Sequence, residues 1–322
     1  MDAAELVAGV AAGDRRALAR AITHVEADSP AGRAVLAGLY PRTGGAHTIG
    51  VTGSAGVGKS TLVGALAREE RRRGRTVGIV AVDPSSPFSH GAILGDRIRM
   101  QDLTADAGVF MRSMASRGNL GGLAEAASGV VDVLDAAGYD IVIVETVGAG
   151  QDEVEVATAA ESTVLVSTPA GGDDVQSMKA GLMEIAQIMV VNKADLAGVE
   201  TTVMQLRGLL AIAPPRGWTP PIVKTVARTN DGIAELVDAL DAHRAYLRGS
   251  AHAAAERREL ARAQIVALAR AALYRQALAT AAHEGVLATL VEEVATRRRD
   301  PRDAAQTLLA AVWRHGQDTH EA

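Results

Sequence analysis

Gly53-Ser54-Ala55-Gly56-Val57-Gly58-Lys59-Ser60 carries the spacing G-x-x-x-x-G-K-S between the apolar run Thr48-Ile49-Gly50-Val51 and the helix-like Thr61-Leu62-Val63-Gly64-Ala65-Leu66. Glycines at these places let successive backbone N–H groups turn inward around a phosphate. Lysine sets a cation on the β and γ oxygens, and the serine hydroxyl can ligate Mg2+. A glycine-rich turn with a stray lysine would not match every specified position and also sit between a strand and a helix. The loop establishes phosphate and leaves the base and the purpose of binding open.

The base is chosen by Asn192-Lys193-Ala194-Asp195, which follows Val190-Val191 at the carboxyl end of an expected strand, where ligands sit in open α/β folds. A carboxylate at Asp195 accepts hydrogen bonds from guanine N1–H and the 2-amino group together. Adenine offers an acceptor at N1 and no 2-amino donor, and the mismatch costs on the order of a few kcal/mol. Lys193 would lay its aliphatic stem along the base. A third stretch, Glu145-Thr146-Val147-Gly148, ends the run Ile141-Val142-Ile143-Val144. There Glu145 can hold Mg2+ or its water shell, and the Gly148 N–H can reach the γ-phosphate. A fourth, Asp83-Pro84-Ser85-Ser86, with Asp96 farther on, offers carboxylates that can reach the metal or orient water. The loop between them contains His90, which alone reads as a solvent-exposed histidine.

Composition narrows the classes. The chain has 322 residues, 48% of them hydrophobic but only 2% aromatic, so its core must be built from Ala, Val, Leu and Ile. A formal net charge of -5 and arginines without interleaved aromatics argue against nucleic acid as partner. No uncharged apolar run is long enough to span a bilayer, and Met1-Asp2-Ala3-Ala4-Glu5 lacks the features of a signal peptide, so a cytoplasmic protein off the membrane is expected. Zero cysteines exclude disulfides, thiol catalysis and cysteine metal sites.

These residues must be positioned by strands and helices. Val/Ile-rich runs at Thr48-Val51, Val77-Val82, Val109-Met111, Ile141-Val144, Thr163-Val166, Ile188-Val191 and Ile222-Thr225 predict strands covered on both faces. Lys59-Arg73, Leu120-Ala137, Val175-Glu184 and Val203-Leu210 predict the covering helices. The pattern is α/β, a P-loop domain over 46–248 with a mostly parallel sheet. It is preceded by a helical segment, 1–45, broken at Gly13-Asp14, and followed by a helical extension, 249–322. In that extension Asp300-Pro301 starts a short final helix, and Leu260, Ile265, Leu268, Leu273 and Tyr274 suggest a dimerisation element.

With these segments assembled, the chain resembles the MeaB/ArgK-type G proteins of the SIMIBI class, GTPase chaperones of adenosylcobalamin-dependent acyl-CoA mutases that include the methylmalonic aciduria type A protein. The resemblance extends over nearly the whole chain. It is carried by Gly53 to Thr61, Val82-Asp83-Pro84-Ser85-Ser86-Pro87, Ile93-Leu94-Gly95-Asp96-Arg97-Ile98-Arg99-Met100, Arg117 to Gly122, Val144 to Gln151, Gly171 to Gly181 and Asn192-Lys193-Ala194-Asp195. The E-T-x-G sequence in place of D-x-x-G separates this family from Ras-like proteins. The resemblance implies a GTPase homodimer whose GTP state controls cofactor delivery to a mutase and the mutase's protection. It further implies that Lys59 and Ser60 bind phosphate and Mg2+, and that Asp83, Asp96 and Glu145 serve the metal and switch regions. By the same mapping Asp173, Gln176 and Lys179 couple nucleotide state to the partner. Val226-Ala227-Arg228 stands where the family usually has a Ser-Ala pair beneath guanine, so base contact from the Ala227 backbone remains while the serine's is missing. His90 and Asn119 replace an expected glycine and histidine.

The expected reaction is in-line attack of water on the γ-phosphate of GTP, driven by positioning and charge neutralisation. No strong base or arginine finger can be assigned from spacing, so slow intrinsic turnover with partner stimulation is expected. Three other classes share parts of the pattern. A kinase or ATP-driven transport accessory protein would need adenine, which Asp195 opposes. A nickel-delivery GTPase would need a Cys/His cluster. A nucleotide-gated binding module would differ only in whether turnover is coupled to partner release.

Overall fold

The computed structural model describes residues 1–83, 103, 105–115, 122–146, 160–169, 185–212, 217–249 and 285–318, with single positions between 255 and 277. The chain divides into two compact units, Met1–Arg258 and Glu259–Ala322.

The amino-terminal segment of the first unit forms three helices, α1 (Ala3–Ala11), α2 (Arg15–Glu26) and α3 (Pro30–Leu39). The expected break at Gly13-Asp14 is present, with Asp14 accepting from the Arg16 and Ala17 N–H groups to cap α2. A second break, which periodicity did not signal, falls at Asp28-Ser29. There Asp28 takes φ +45°, the Ser29 hydroxyl caps Gly32 N–H, and Pro30 opens the next helix.

All seven runs read as strands form strands, most of them longer than their apolar core: β1 (His47–Thr52), β2 (Val77–Asp83), β3 (Val109–Ala115), β4 (Ile141–Thr146), β5 (Ser162–Ser167), β6 (Ile188–Asn192) and β7 (Ile222–Thr225). They make one sheet in the order β3-β2-β4-β1-β5-β6-β7, and every pairing is parallel. β4 and β5 are buried at every residue, which accounts for the apolar runs Ile141-Val142-Ile143-Val144 and Val164-Leu165-Val166 that they carry. Outward from β1, β4 lies on one side and β5 on the other, so the crevice beyond the carboxyl end of β1 is the topological switch point.

Helices α4 (Lys59–Arg72), α5 (Gly122–Ala136), α6 (Val199–Ile212) and α7 (Ile233–Gly249) cover the sheet. On one face α4 and α7 pack on Ile49, Val51, Ile79, Ile143, Val164 and Val190. On the other, α5 and the three amino-terminal helices pack on Val80, Val82, Phe110, Met114, Val142 and Val144, and α6 packs on Leu165, Met189 and Val191. The amino-terminal helices therefore share the core of the sheet, with Leu6, Val10, Ile22 and Val35 wholly buried. Arg112 of β3 also grips Glu26 of α2 through both carboxylate oxygens.

The second unit contains α8 (Val286–Ala295) and α9 (Pro301–Asp318). Asp300 caps α9 as expected, accepting from Arg302 and Asp303 N–H. The helix is not short, however: it runs for 18 residues, because Leu308, Leu309 and the alanines around them continue the helical pattern. Val291 and Leu309 in this unit, and Ile265 and Leu273 at its single described positions, are large exposed apolar side chains.

Candidate functional site

The site lies where β1, β4, β6 and β7 end. β1 delivers the chain into Gly53 and α4 takes it away from Lys59, so the first-turn N–H groups of α4 face the loop. Two of its glycines are required by contact as well as conformation. Gly53 has φ +145°, and a Cβ there would stand 2.2 Å from the Val166 carbonyl of β5; Gly58 caps α4 at φ +93°, with a Cβ position 2.7 Å from Asn192 Nδ2. Gly56, at φ +81°, faces open space.

Lys59 is buried, and its Nζ donates to the carbonyls of Gly53 and Ser54, the latter at 3.1 Å. The ammonium is thus held over the loop by the loop's own backbone. Ser60 Oγ donates to Glu145 Oε1 at 2.6 Å. Glu145 is 0% exposed, so it is not a solvated strand-end carboxylate. Register explains the pairing: Val51 of β1 stands opposite Glu145 of β4, which brings the carboxyl end of β4 against the first turn of α4. A serine hydroxyl and a carboxylate are hard oxygen donors of the kind Mg2+ takes, and this pair fits that ion.

The base-side residues converge on Asn192. Its Nδ2 donates to the Val57 carbonyl at 2.9 Å, while its Oδ1 accepts from Thr225 Oγ1 at 3.2 Å and Ala227 N–H at 3.1 Å. All three contacts are buried. Asn192, read from sequence as a base contact, is here a bridge between the phosphate loop and the loop after β7, and the Ala227 N–H is committed to it. Lys193, at φ +57°, stretches back so that Nζ donates to the Gly56 carbonyl at 2.8 Å. Asp195 is exposed. Val226 is half-buried, its N–H donating to Asp231 O at 2.9 Å, which closes the loop bearing the exposed Arg228. Ser54 is half-buried, Ala55 and Thr61 are exposed, and Val57 is in the core.

Sequence reading missed the part played by Thr225. It appeared only as the last residue of a strand, yet a threonine one residue before the base loop, in register with Asn192, was the available signal. Asp83 ends β2 one residue past Val82, the partner of Thr146, at the same end of the sheet as Glu145. Asp96, Gly148, Asp173, Gln176 and Lys179 lie outside the described residues.

The model of the family described as methylmalonyl Co-A mutase-associated GTPase MeaB matches residues 18–282. The chain belongs to that family. It is a GTPase. A Pyrococcus abyssi protein that carries a GTPase name is 44% identical over 321 residues, covering 98% of this chain and 99% of its own. The methylmalonic aciduria type A homolog of Caenorhabditis elegans, a mitochondrial protein, is 33% identical over 73% of this chain and 64% of its own. Among solved structures, the crystal structure of an LAO/AO transport system kinase is similar with a TM-score of 0.72 and 28% identity, covering 95% of this chain and 96% of that one. Membership of a GTPase family agrees with the guanine preference read from Asp195. Among the described residues no helix is long and apolar enough to cross a membrane.

Proposed function

We propose that this GTPase is a molecular switch that assists and protects an adenosylcobalamin-dependent acyl-CoA mutase of the methylmalonyl-CoA type, gating the loading of its cofactor. The observation that carries the switch is the buried Glu145 held against Ser60. It joins the first turn of α4 to the carboxyl end of β4, which gives a change at the γ-phosphate a route into that strand. The client is supported by the family's description and by the name of the nematode relative.

Ser60 and Glu145, with Asp83 and Asp96, would hold Mg2+, which would supply charge neutralisation at the phosphates. Lys59 moves from its carbonyl partners to the β and γ oxygens, the loop N–H groups cradle the phosphates, and Gly148 N–H senses the γ-phosphate. Asp195 and Lys193 bind guanine. Asp173, Gln176 and Lys179 transmit nucleotide state to the mutase, and residues 249–322 join two copies in a cytoplasmic homodimer. GTP hydrolysis is slow alone and faster with the mutase; equal rates with and without an acyl-CoA mutase would remove the switch. Co-purification with and without a non-hydrolysable GTP analogue identifies the client.

A further inference from the structure

The first turn of α4 serves the nucleotide, and its last turns carry an unexplained group. Glu70 is 1% exposed. Arg75 Nε lies 2.6 Å from Glu70 Oε2, but the contact is poorly directed: neither atom completes a hydrogen bond. Arg75 aims its fork at Asp241 of α7, Nη1 to Oδ1 at 2.5 Å and Nη2 to Oδ2 at 3.1 Å. Arg73 is shared among Glu69, Asp238 and Asp241, and Arg72 pairs with Glu69. Three arginines therefore serve four carboxyl groups, and the one that no guanidinium engages squarely is the most deeply buried. Among the described residues, Arg244 of α7 and His47 of β1 also interact electrostatically with Asp241.

We propose that Glu70 holds a proton in the folded protein, which makes the ionic brace between α4 and α7 a pH-sensitive tie beneath both nucleotide loops. α4 begins at Lys59 and α7 begins just after the loop closed by Val226 and Asp231, so a tie between the two helices fixes the separation of those loops. A neutral carboxyl group is inexpensive to bury and an ill-paired carboxylate is not. Burial pushes the Glu70 carboxyl up to about 7; Arg75 and Arg73 oppose that rise, and Asp241 and Glu69 add to it. A carboxyl group raised from 4.5 makes its stabilising contribution fully below that value and loses it as pH rises through about 7.

The test is thermal unfolding of the full chain, wild type against Glu70→Gln and Asp241→Asn. Between about pH 6 and about pH 8.5 the wild-type melting temperature falls ~3–5 °C more than that of Glu70→Gln. Glutamine, the neutral isostere, folds and keeps the brace at both pH values. Asp241→Asn turns the Arg75 fork toward Glu70 and moves the midpoint to lower pH. The infrared absorption of protonated carboxyl groups at about pH 6 is smaller in Glu70→Gln than in the wild type by one group, a readout that does not depend on stability. Parallel wild-type and Glu70→Gln profiles, or an unmoved midpoint in Asp241→Asn, or identical carboxyl absorption, would each overturn the assignment.

Discussion

Asn192→Ala separates a bridge from a base contact. The substitution removes three buried hydrogen bonds and leaves the Val57 carbonyl, the Thr225 hydroxyl and the Ala227 N–H without the partner they share. At a net ~1 kcal/mol for each bond, the nucleotide-free protein loses roughly 3 kcal/mol of stability. In a unit of this size that is a fall of about 6–12 °C in melting temperature. Because Val57 belongs to the phosphate loop and Ala227 to the base loop, GDP affinity falls by a factor of about 10 to 100. Thr225→Val removes one bond and leaves Ala227 N–H satisfied, so it costs about 1 kcal/mol. Scanning calorimetry of nucleotide-free protein and titration with a fluorescent GDP measure both quantities. A base contact alone predicts weaker GDP binding with unchanged nucleotide-free stability; that result, in Asn192→Ala, would refute the bridge.

Gly53→Ala forces a Cβ to within 2.2 Å of the Val166 carbonyl, a clash between two strands of fixed register, and costs more than about 3 kcal/mol. Gly56→Ala, at positive φ in open space, costs only about 1 kcal/mol, and urea unfolding ranks the two. Asp195→Asn shifts preference from guanine toward xanthine nucleotides, since an amide can donate to a 2-oxo group; unchanged GTP affinity in competition binding would remove Asp195 from the base site. The buried chain His47 Nε2, Ser162 Oγ and His243 Nδ1, each link 2.7 Å, gives an acid limit. Burial above all lowers His47 to about 3 and His243 to about 4, so the stability they contribute is complete above about 6.5 and is lost as pH falls toward those values. Urea midpoints fall between about pH 6 and about pH 4, and His47→Gln makes the decline shallower.

The order of elements and the chemistry of the phosphate loop follow from residue types and spacing alone. β4 and β5 are buried at every residue and carry the apolar runs Ile141-Val142-Ile143-Val144 and Val164-Leu165-Val166, which makes period and composition sufficient to find them. Gly53, Gly58, Lys59 and Ser60 are legible because backbone turn, cation and hydroxyl each admit few residue types. How separate stretches meet is set by packing and strand register, which no local pattern encodes. Val57, Asn192 and the Thr225–Ala227 stretch are far apart in the chain and come together through the register of β6 with β7 and the path of the loop that follows β1. The amino-terminal helices belong to the core for the same kind of reason: Leu6, Ile22 and Val35 show an apolar stripe in sequence, but only packing against Val80, Phe110 and Val142 says which face it covers. Local propensity sets what a segment can be, and burial against a distant partner sets what it is for.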